Sequence, residues 1–196
     1  MGNIEKSLEV YEKLRTRKYR ITVENGISFV LEFKKKRYHH LAGFQHLKDK
    51  PHLSTLVKDK TAFYNALSRN EITEHEVVSS QKFPLIEERF HFFDQLLNIM
   101  DAGEGRIIID YDQTKVKGSE IKAKFMLYKR NGNPFKEEFC CFSLFIGYDY
   151  LTKEYYPATY IVEHSNKYTN DQTPLLCTIE TINPPKKKNK PTKKAK

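Results

Sequence analysis

The sequence has few cysteines, no long apolar run and no glycine-rich phosphate loop. Its three cysteines include the adjacent Cys140 and Cys141, so they do not make a disulfide framework, and a Cys-x-x-Cys zinc motif is absent. No stretch is apolar enough to cross a bilayer, and residues 1–7 lack the pattern of a secretory signal. These absences favour a cytoplasmic protein with reduced cysteines. Gly103 and Gly105 are followed by no phosphate-loop lysine and indicate a plain connector.

The length and composition indicate one folded domain followed by a charged tail. The chain has 196 residues, 39% of them hydrophobic, with 13 phenylalanines and 12 tyrosines to build a core. Of its 34 basic residues, seven are lysines within residues 186–196, which leaves 27 basic against 25 acidic residues elsewhere. We predict a single domain over residues 1–183 and a disordered lysine-rich tail over 184–196. The tail is either an electrostatic arm that holds polyphosphate or a solubilising terminus.

The first half of the chain has mainly helical periodicity. Apolar positions predict a helix over residues 4–16, and residues 83–100 give the clearest helical repeat. Asp59 is placed to cap a helix that runs through Leu67. Strands at 19–24 and 28–33 flank Asn25-Gly26, a strong hairpin signal.

The second half of the chain has strand periodicity. Beyond Gly105, β-branched and aromatic residues recur with a period of two, and Asn131-Gly132 marks a turn between two of the strands. The predicted strands cover residues 106–110, 120–128, 137–148, 158–163 and 175–182. Helices first and strands later predict an α+β fold with an antiparallel sheet.

Three histidines lie within eight positions, at His39, His40 and His46, directly after the basic run 34–37. Imidazole exchanges protons near neutral pH, and neighbouring cations attract phosphate, so the combination suits metal-free cleavage of RNA. The alternative is that these histidines are solvated or structural, and His46 is expected on a helix surface. Their spacing does not match structural zinc sites, and we predict neither a metal nor a cofactor.

The motif Tyr38-x-His40-Leu41-x-Gly43-Phe44, followed by Leu47-Lys48-Asp49, is similar to the opening signature of phage-associated nucleases of the Barnase–EndoU–colicin–RelE group. Residues 18–22 and 29–33 resemble the first hairpin of that family. A third segment resembles the central helix of the family, with the pattern Ser80-x-x-Phe83-x-x-Ile86-x-x-Arg89-Phe90-x-x-Phe93. Residues 157–163, Tyr168 and residues 175–179 resemble its closing strands, so the resemblance covers about residues 11–182.

The resemblance implies N-terminal helices packed on a curved antiparallel sheet, with the active site on the concave face. It implies that His40, in the family's His-Leu-x-Gly position, is the catalytic base or acid. Thr159 and Tyr168 match the closing pattern and are expected to bind phosphate or orient the base. Alternatively, Thr159 is an ordinary strand threonine and Tyr168 a buried aromatic residue. His164 falls outside the family pattern and is either a second acid or a polar loop residue.

Arg89 is the candidate catalytic cation. It lies at the margin of the apolar helical face made by Ile86, Phe90 and Phe93, where an unpaired charge is costly. Its partner is either a carboxylate elsewhere in the fold or the scissile phosphate, which a guanidinium binds in bidentate fashion.

Five further residues are candidate RNA-binding residues: Lys35, Lys36, Arg37, His39 and Lys124. The first four directly precede His40, although His39 has no counterpart in the family motif and is accessory. Lys124 alternates with apolar residues, so it faces either RNA or solvent. For most tyrosines and phenylalanines, core packing is favoured over stacking on unpaired bases.

Together these features predict a cytoplasmic, phage- or mobile-element-associated endoribonuclease that acts without metal and leaves 2′,3′-cyclic phosphate ends. RNA is the predicted partner, and a tRNA is one candidate target. If the enzyme is a toxin in host–phage conflict, an inhibitor or immunity protein is a further partner. The alternatives are a non-catalytic RNA- or DNA-binding module that kept the fold, or a structural phage protein tethered to DNA by its tail.

Overall fold

The computed structural model describes residues 2–56, 58–132 and 139–182. Within these residues, seven helices and seven strands make up an α+β fold, with the helices ahead of the main strand run. The helices are α1 Asn3–Arg15, α2 Tyr38–Leu41, α3 Pro51–Leu56, α4 Lys60–Ser68, α5 Glu74–Val78, α6 Glu87–His91 and α7 Gln95–Ile99. The strands are β1 Lys18–Val23, β2 Ser28–Glu32, β3 Gly103–Asp110, β4 Phe125–Asn131, β5 Cys140–Asp149, β6 Glu154–Glu163 and β7 Thr173–Ile182. Four 3-10 turns lie at Lys35–Arg37, Phe44–His46, Phe83–Leu85 and Gln113–Lys115.

The seven strands form one antiparallel sheet in the order β2-β1-β7-β3-β4-β5-β6. The sheet curves so strongly that its two edge strands approach each other. The rings of Phe29 on β2 and Tyr155 on β6 stack with centroids 4.1 Å apart, and Lys34 Nζ lies 2.9 Å from Glu154 Oε2. This confirms the predicted α+β class and the curved antiparallel sheet.

The first hairpin forms where the sequence predicts it. Gly26 adopts φ +89°, a conformation that glycine reaches without steric cost, and the Asn25 side chain accepts a hydrogen bond from the Ile27 amide at 3.1 Å. Along β1, exposed and buried residues alternate, so that Tyr19, Ile21 and Val23 face the core.

One large core lies between the helices and the concave face of the sheet. Its aromatic part includes Tyr11, Tyr38, Phe63 and Phe93, each less than 3% exposed. A smaller cluster lies on the other face, where Phe145 packs edge-on against Tyr111 and Tyr168. The three cysteines are free and buried.

The predicted continuous helix over residues 83–100 is wrong. The segment divides into the turn Phe83–Leu85 and the helices α6 and α7, because Pro84 starts it and the backbone leaves the helical region at Ile86, with φ −128°, and at Phe92, with φ −108°. The Phe92 carbonyl accepts hydrogen bonds from the Gln95 amide at 3.0 Å and from the Tyr160 hydroxyl at 2.8 Å, so β6 is tied to the break between the two helices.

Two strand predictions also need correction. Residues 120–124 precede β4 rather than belong to it, because Ser119 bonds the Tyr111 hydroxyl and the Ile121 amide and so turns the chain there. Gly103 and Gly105 are not a connector. They begin β3, where the pairing with β7 shifts between Gly103 and Arg106 and Gly105 adopts φ +66°.

Some predictions fall at or beyond the described residues. Asn131 ends β4 and Gly132 follows with φ +84°, while residues 133–138 and the lysine-rich segment 184–196 lie outside the described part of the chain. Among residues 2–56, 58–132 and 139–182, the helices are too short and polar to span a membrane.

The cap of α4 gives a stability prediction. The Asp59 carboxylate accepts hydrogen bonds from the amides of Thr61 and Ala62, both at 3.0 Å. We expect Asp59→Ala to lower the free energy of unfolding by about 1 kcal/mol, because two helix amides lose their acceptor. Urea unfolding measures this. Asp59→Asn, which keeps an acceptor oxygen, should stay near the wild type, and an equal loss in both variants would contradict the capping explanation.

Candidate active site

The segment that carries the histidines is held by Tyr38. The Tyr38 side chain is completely buried, its hydroxyl lies 2.6 Å from Ser7 Oγ on α1, and its ring packs on Tyr11 with centroids 5.0 Å apart. The Tyr11 hydroxyl donates to the Lys34 carbonyl at 2.8 Å. The turn Lys35–Arg37 and α2 are therefore anchored at both ends, which fixes His40 on the protein surface beside β6.

His40 is half-buried and surrounded by positive charge. Burial lowers the pKa of its imidazole to about 4, with further lowering by the charges of Lys60, Arg37, His46 and Arg89. The imidazole is therefore neutral at pH 7 and able to accept a proton. The same cations attract a phosphate to the place where that proton would be taken.

Arg89 is brought to His40 by a close approach between α6 and the histidine segment. Its Nη1 donates to the His40 carbonyl at 3.5 Å, and its side chain passes Gly43, where a Cβ would come within 3.2 Å of Arg89 Cδ. Burial lowers the pKa of the Arg89 guanidinium, which the hydroxyls of Tyr168 and Tyr160 partly oppose. Among the described residues, no carboxylate forms an ion pair with Arg89.

Tyr168 and Thr159 lie on the outer side of β6. The Tyr168 ring packs on Phe145 with centroids 5.2 Å apart, and burial raises the pKa of its hydroxyl, which the positive charge of Arg89 partly offsets. Thr159 is half-buried and pairs across the ladder with Phe145, so it shares a face with Tyr168. The structure thus brings Arg89 into contact with His40, whereas Tyr168 and Thr159 lie on the other face of the sheet, and no hydrogen bond among the described residues joins them to that pair.

The five RNA-binding candidates occupy different environments. Lys36 is exposed, and Arg37 is half-buried with its guanidinium 3.7 Å from the centre of the Tyr156 ring. Lys35 donates to Asn65 Oδ1 at 2.7 Å, and Lys124 pairs with Asp110 Oδ1 at 2.8 Å.

His39 occupies the core side of α2. Its side chain is 1% exposed, and burial, followed by the charge of His40, lowers its pKa to about 3. The two imidazole rings lie with centroids 3.9 Å apart. The structure therefore gives His39 a packing position against His40.

The sequence did not indicate Lys60 as a residue of the site. It follows the capping Asp59, and its positive charge lowers the pKa of His40. His46 is exposed, as expected for a surface residue, yet its charge also acts on His40. His164 bonds Glu88 Oε1 at 2.7 Å through Nε2, and that contact raises its pKa. No pattern of spacing links these residues, so only the fold could show their proximity.

The described residues contain no group of three or more histidine, cysteine or carboxylate side chains arranged to hold a metal ion. Fold and site together define a nuclease domain of the Barnase–EndoU–colicin–RelE type. The chain belongs to the family described as phage-Barnase-EndoU-ColicinE5/D-RelE like nuclease4, whose model matches residues 3–194. Its substrate is accordingly a nucleic acid. Comparison with curated proteins gave no match, and neither did comparison with solved structures.

Gly43 gives a prediction about the site. It adopts φ +86°, and a Cβ there would lie 2.5 Å from Ile86 Cγ2 and 3.2 Å from Arg89 Cδ. We expect Gly43→Ala to cost about 1–3 kcal/mol of unfolding free energy and to move Arg89, because both the backbone and the contact are strained. Unfolding and a crystal structure of the variant would measure this. Gly26 also has a positive φ, but a Cβ added there would meet no atom within 4 Å. An equally large loss of stability in Gly26→Ala would show that backbone strain alone is responsible.

The lowered histidine pKa values predict how stability depends on pH. The pKa of His40 is about 4 in the folded protein and 6.5 in the unfolded chain. Above pH 6.5 the ring is neutral in both states, and the folded state keeps its full stability. As the pH falls from 6.5 towards 4, the unfolded chain takes up a proton that the folded protein does not, so this stability is lost. We expect the free energy of unfolding to fall over this range, and to fall less in His40→Gln. Urea titrations at several pH values test this, with the exposed His75→Gln as control. An unchanged pH dependence in His40→Gln would contradict the assignment.

Proposed function

We propose that the protein is an endoribonuclease that cleaves RNA by attack of the ribose 2′-hydroxyl on the adjacent phosphate. The O2′–phosphorus bond forms, the phosphorus–O5′ bond breaks, and the products carry a 2′,3′-cyclic phosphate and a 5′-hydroxyl. The reaction needs a group that takes the 2′ proton, a group that protonates O5′ and positive charge at the phosphorane. The observation that carries the proposal is a neutral imidazole within a cluster of cations.

His40 is the proposed general base. Burial disfavours the protonated form of His40, and the nearby charges of Lys60, Arg37 and Arg89 disfavour it further, so the form that accepts a proton is the one present at pH 7. A phosphate bound beside it supplies negative charge, which raises the pKa of His40 and makes it a better base as the substrate binds.

Arg89 is the proposed phosphate ligand. Its guanidinium is held against the His40 carbonyl and Gly43, so it is preorganised rather than free to rotate. Burial makes its charge costly in the unliganded protein, and a phosphate would provide the missing counter-charge. Arginine can also contact two phosphate oxygens at once, which suits a phosphorane.

Tyr168 is proposed to donate a hydrogen bond to the phosphate or to O5′. Its raised pKa keeps the hydroxyl protonated at neutral pH, and the effect of the Arg89 charge on that hydroxyl supports a role for both residues at one site. Thr159 is proposed as a second hydroxyl on the same face of the sheet. His39 supports the His40 ring from the core side.

The remaining basic residues are proposed to guide the RNA strand. Lys36 and Arg37 continue the positive surface from His40, while Lys35 and Lys124 contribute charge although each already contacts a protein side chain. The lysines of residues 186–196 are proposed to add a sequence-independent attraction to phosphates. We propose action in a bacterial cytoplasm, in host–phage conflict, with a tRNA target and an immunity protein as further predictions.

Cleavage of total bacterial RNA in EDTA tests the proposal. The wild type should produce fragments with 2′,3′-cyclic phosphate ends, and His40→Ala should be slower by about 10²–10⁴-fold because the base is lost. Arg89→Lys keeps the charge but not the fork and should be slower by about 10²–10³-fold. The matched control is His75→Ala on α5, which should cleave like the wild type.

Three results would contradict parts of the proposal. Equal activity in His40→Ala would remove His40 from the site. Cleavage that returns only after divalent ions are restored would exclude the metal-independent reaction. RNA retained in a shift assay without any cleavage would favour the non-catalytic binding module.

A further inference from the structure

The two edges of the sheet meet without closing it. The ladder ends at β2 on one side and β6 on the other, and between these strands and the turn that joins β5 to β6 is a cavity of about 350 Å³. We call it the seam cleft. Its polar lining includes Lys34, Lys36, Arg37, Lys153, Glu154 and Tyr156. A volume of this size is in the range of small-molecule sites.

Packing against Tyr156 holds the Arg37 side chain in the seam cleft. Its guanidinium lies over the Tyr156 ring at 3.7 Å, and its Nε is shielded from solvent without a hydrogen-bond partner among the described residues. Gly147 makes room for the ring, because a Cβ there would be 2.5 Å from Tyr156 Cζ. A guanidinium that is already held in place by an aromatic ring can bind an anion with little further loss of side-chain freedom.

Three acidic residues also line the cleft, and the charges of Asp149 and Glu154 act on Arg37. Glu154 pairs with Lys34 at 2.9 Å, and Glu32 pairs with Lys18 at 2.5 Å. The Asp149 carboxylate accepts hydrogen bonds from the Leu151 amide at 2.9 Å and the Thr152 amide at 3.2 Å.

Three of the basic residues that line the cleft make no ion pair with a carboxylate within the described part of the chain. They are Lys36, Arg37 and Lys153. The cleft is therefore lined by four basic residues against three acidic ones, and this excess of positive charge suits a phosphate group.

The rim of the cleft adds an exposed aromatic surface. Tyr150, at the tip of the β5–β6 turn, is 82% exposed and stacks edge-on against Tyr148 with centroids 4.9 Å apart. Tyr148 in turn packs on Tyr155, which lines the cleft. An exposed ring beside a basic cavity suits a nucleotide whose base is unpaired.

We propose that the seam cleft binds the phosphate of a nucleotide, as a subsite separate from the His40 site, with Arg37, Lys36 and Lys153 as its ligands and Tyr150 as the stacking surface for the base. Arg37 is three residues from His40, so the subsite would take a nucleotide that flanks the cleaved bond. The subsite rests on the proposed endoribonuclease function only where the bound nucleotide is taken to be part of an RNA strand. A free nucleotide carries the same phosphate and base and could bind the cleft in the same way.

Binding of an all-deoxy single-stranded oligonucleotide tests the subsite. This probe lacks the 2′-hydroxyl, so the proposed reaction cannot cleave it, and fluorescence anisotropy reads binding alone. We expect Arg37→Gln and Lys153→Asn each to weaken binding about tenfold at low salt and to reduce the slope of log K against log salt by about 0.7. Lys153 has φ +55°, which asparagine tolerates, so this variant removes charge without new backbone strain.

The control variant is Lys6→Gln, which removes one exposed charge from α1 and should bind like the wild type. Gly147→Ala provides a further check, because it displaces Tyr156 without changing any charge and should weaken binding as Arg37→Gln does. Unchanged binding in Arg37→Gln and Lys153→Asn would overturn the proposal. An equal loss of binding in Lys6→Gln would also overturn the proposal, since the loss would then depend on the net charge of the protein and not on the cleft.

Competition with adenosine monophosphate separates the two sources of the phosphate. If the mononucleotide binds the wild type and loses affinity in both variants, the cleft takes a free nucleotide. If only the oligonucleotide is affected, the cleft takes a strand. Because neither probe reports cleavage, the subsite would stand even if the wild type failed to cleave RNA, and a cleaving enzyme with unchanged binding in the variants would refute the subsite alone.

Discussion

The burial of Tyr38 is the interaction on which the site depends. Its ring is enclosed by Tyr11, Tyr64 and Phe93, and its hydroxyl bonds Ser7 on the first helix. The chain immediately around it therefore cannot rotate, so a short segment that would be unstable alone is held as rigidly as a core helix. Arg37 on one side of Tyr38 and His40 on the other are positioned by the same contact.

This anchor has an electrostatic consequence. It holds His40 partly out of water and near several cations, an arrangement that the folded protein tolerates because the imidazole gives up its proton. The positive charges of Lys60, Arg37 and Arg89 remain around the neutral ring. Packing and electrostatics are therefore linked, since the same contacts that keep the fold together hold a neutral imidazole among cations.

The sequence predicted the local features and missed the long-range ones. The Asn25-Gly26 hairpin, the Asp59 cap and the strand run depend on neighbours in the chain, and the structure confirms them. Residues 83–100 keep their apolar spacing, but the backbone leaves the helical region at Ile86 and Phe92, which the spacing did not indicate. The approach of Lys60 to His40 and the seam cleft follow from sheet curvature and helix docking, which have no signature in the order of residues.

The titration of His40 in the intact protein tests the central claim most directly. Its imidazole signals can be followed by NMR as the pH is varied and assigned from the spectrum of His40→Gln. The account predicts a pKa of about 4, with a neutral ring throughout the neutral range. A value at or above 6.5, the ordinary value for histidine, would mean that His40 is solvated and remote from the cations, and would contradict the account.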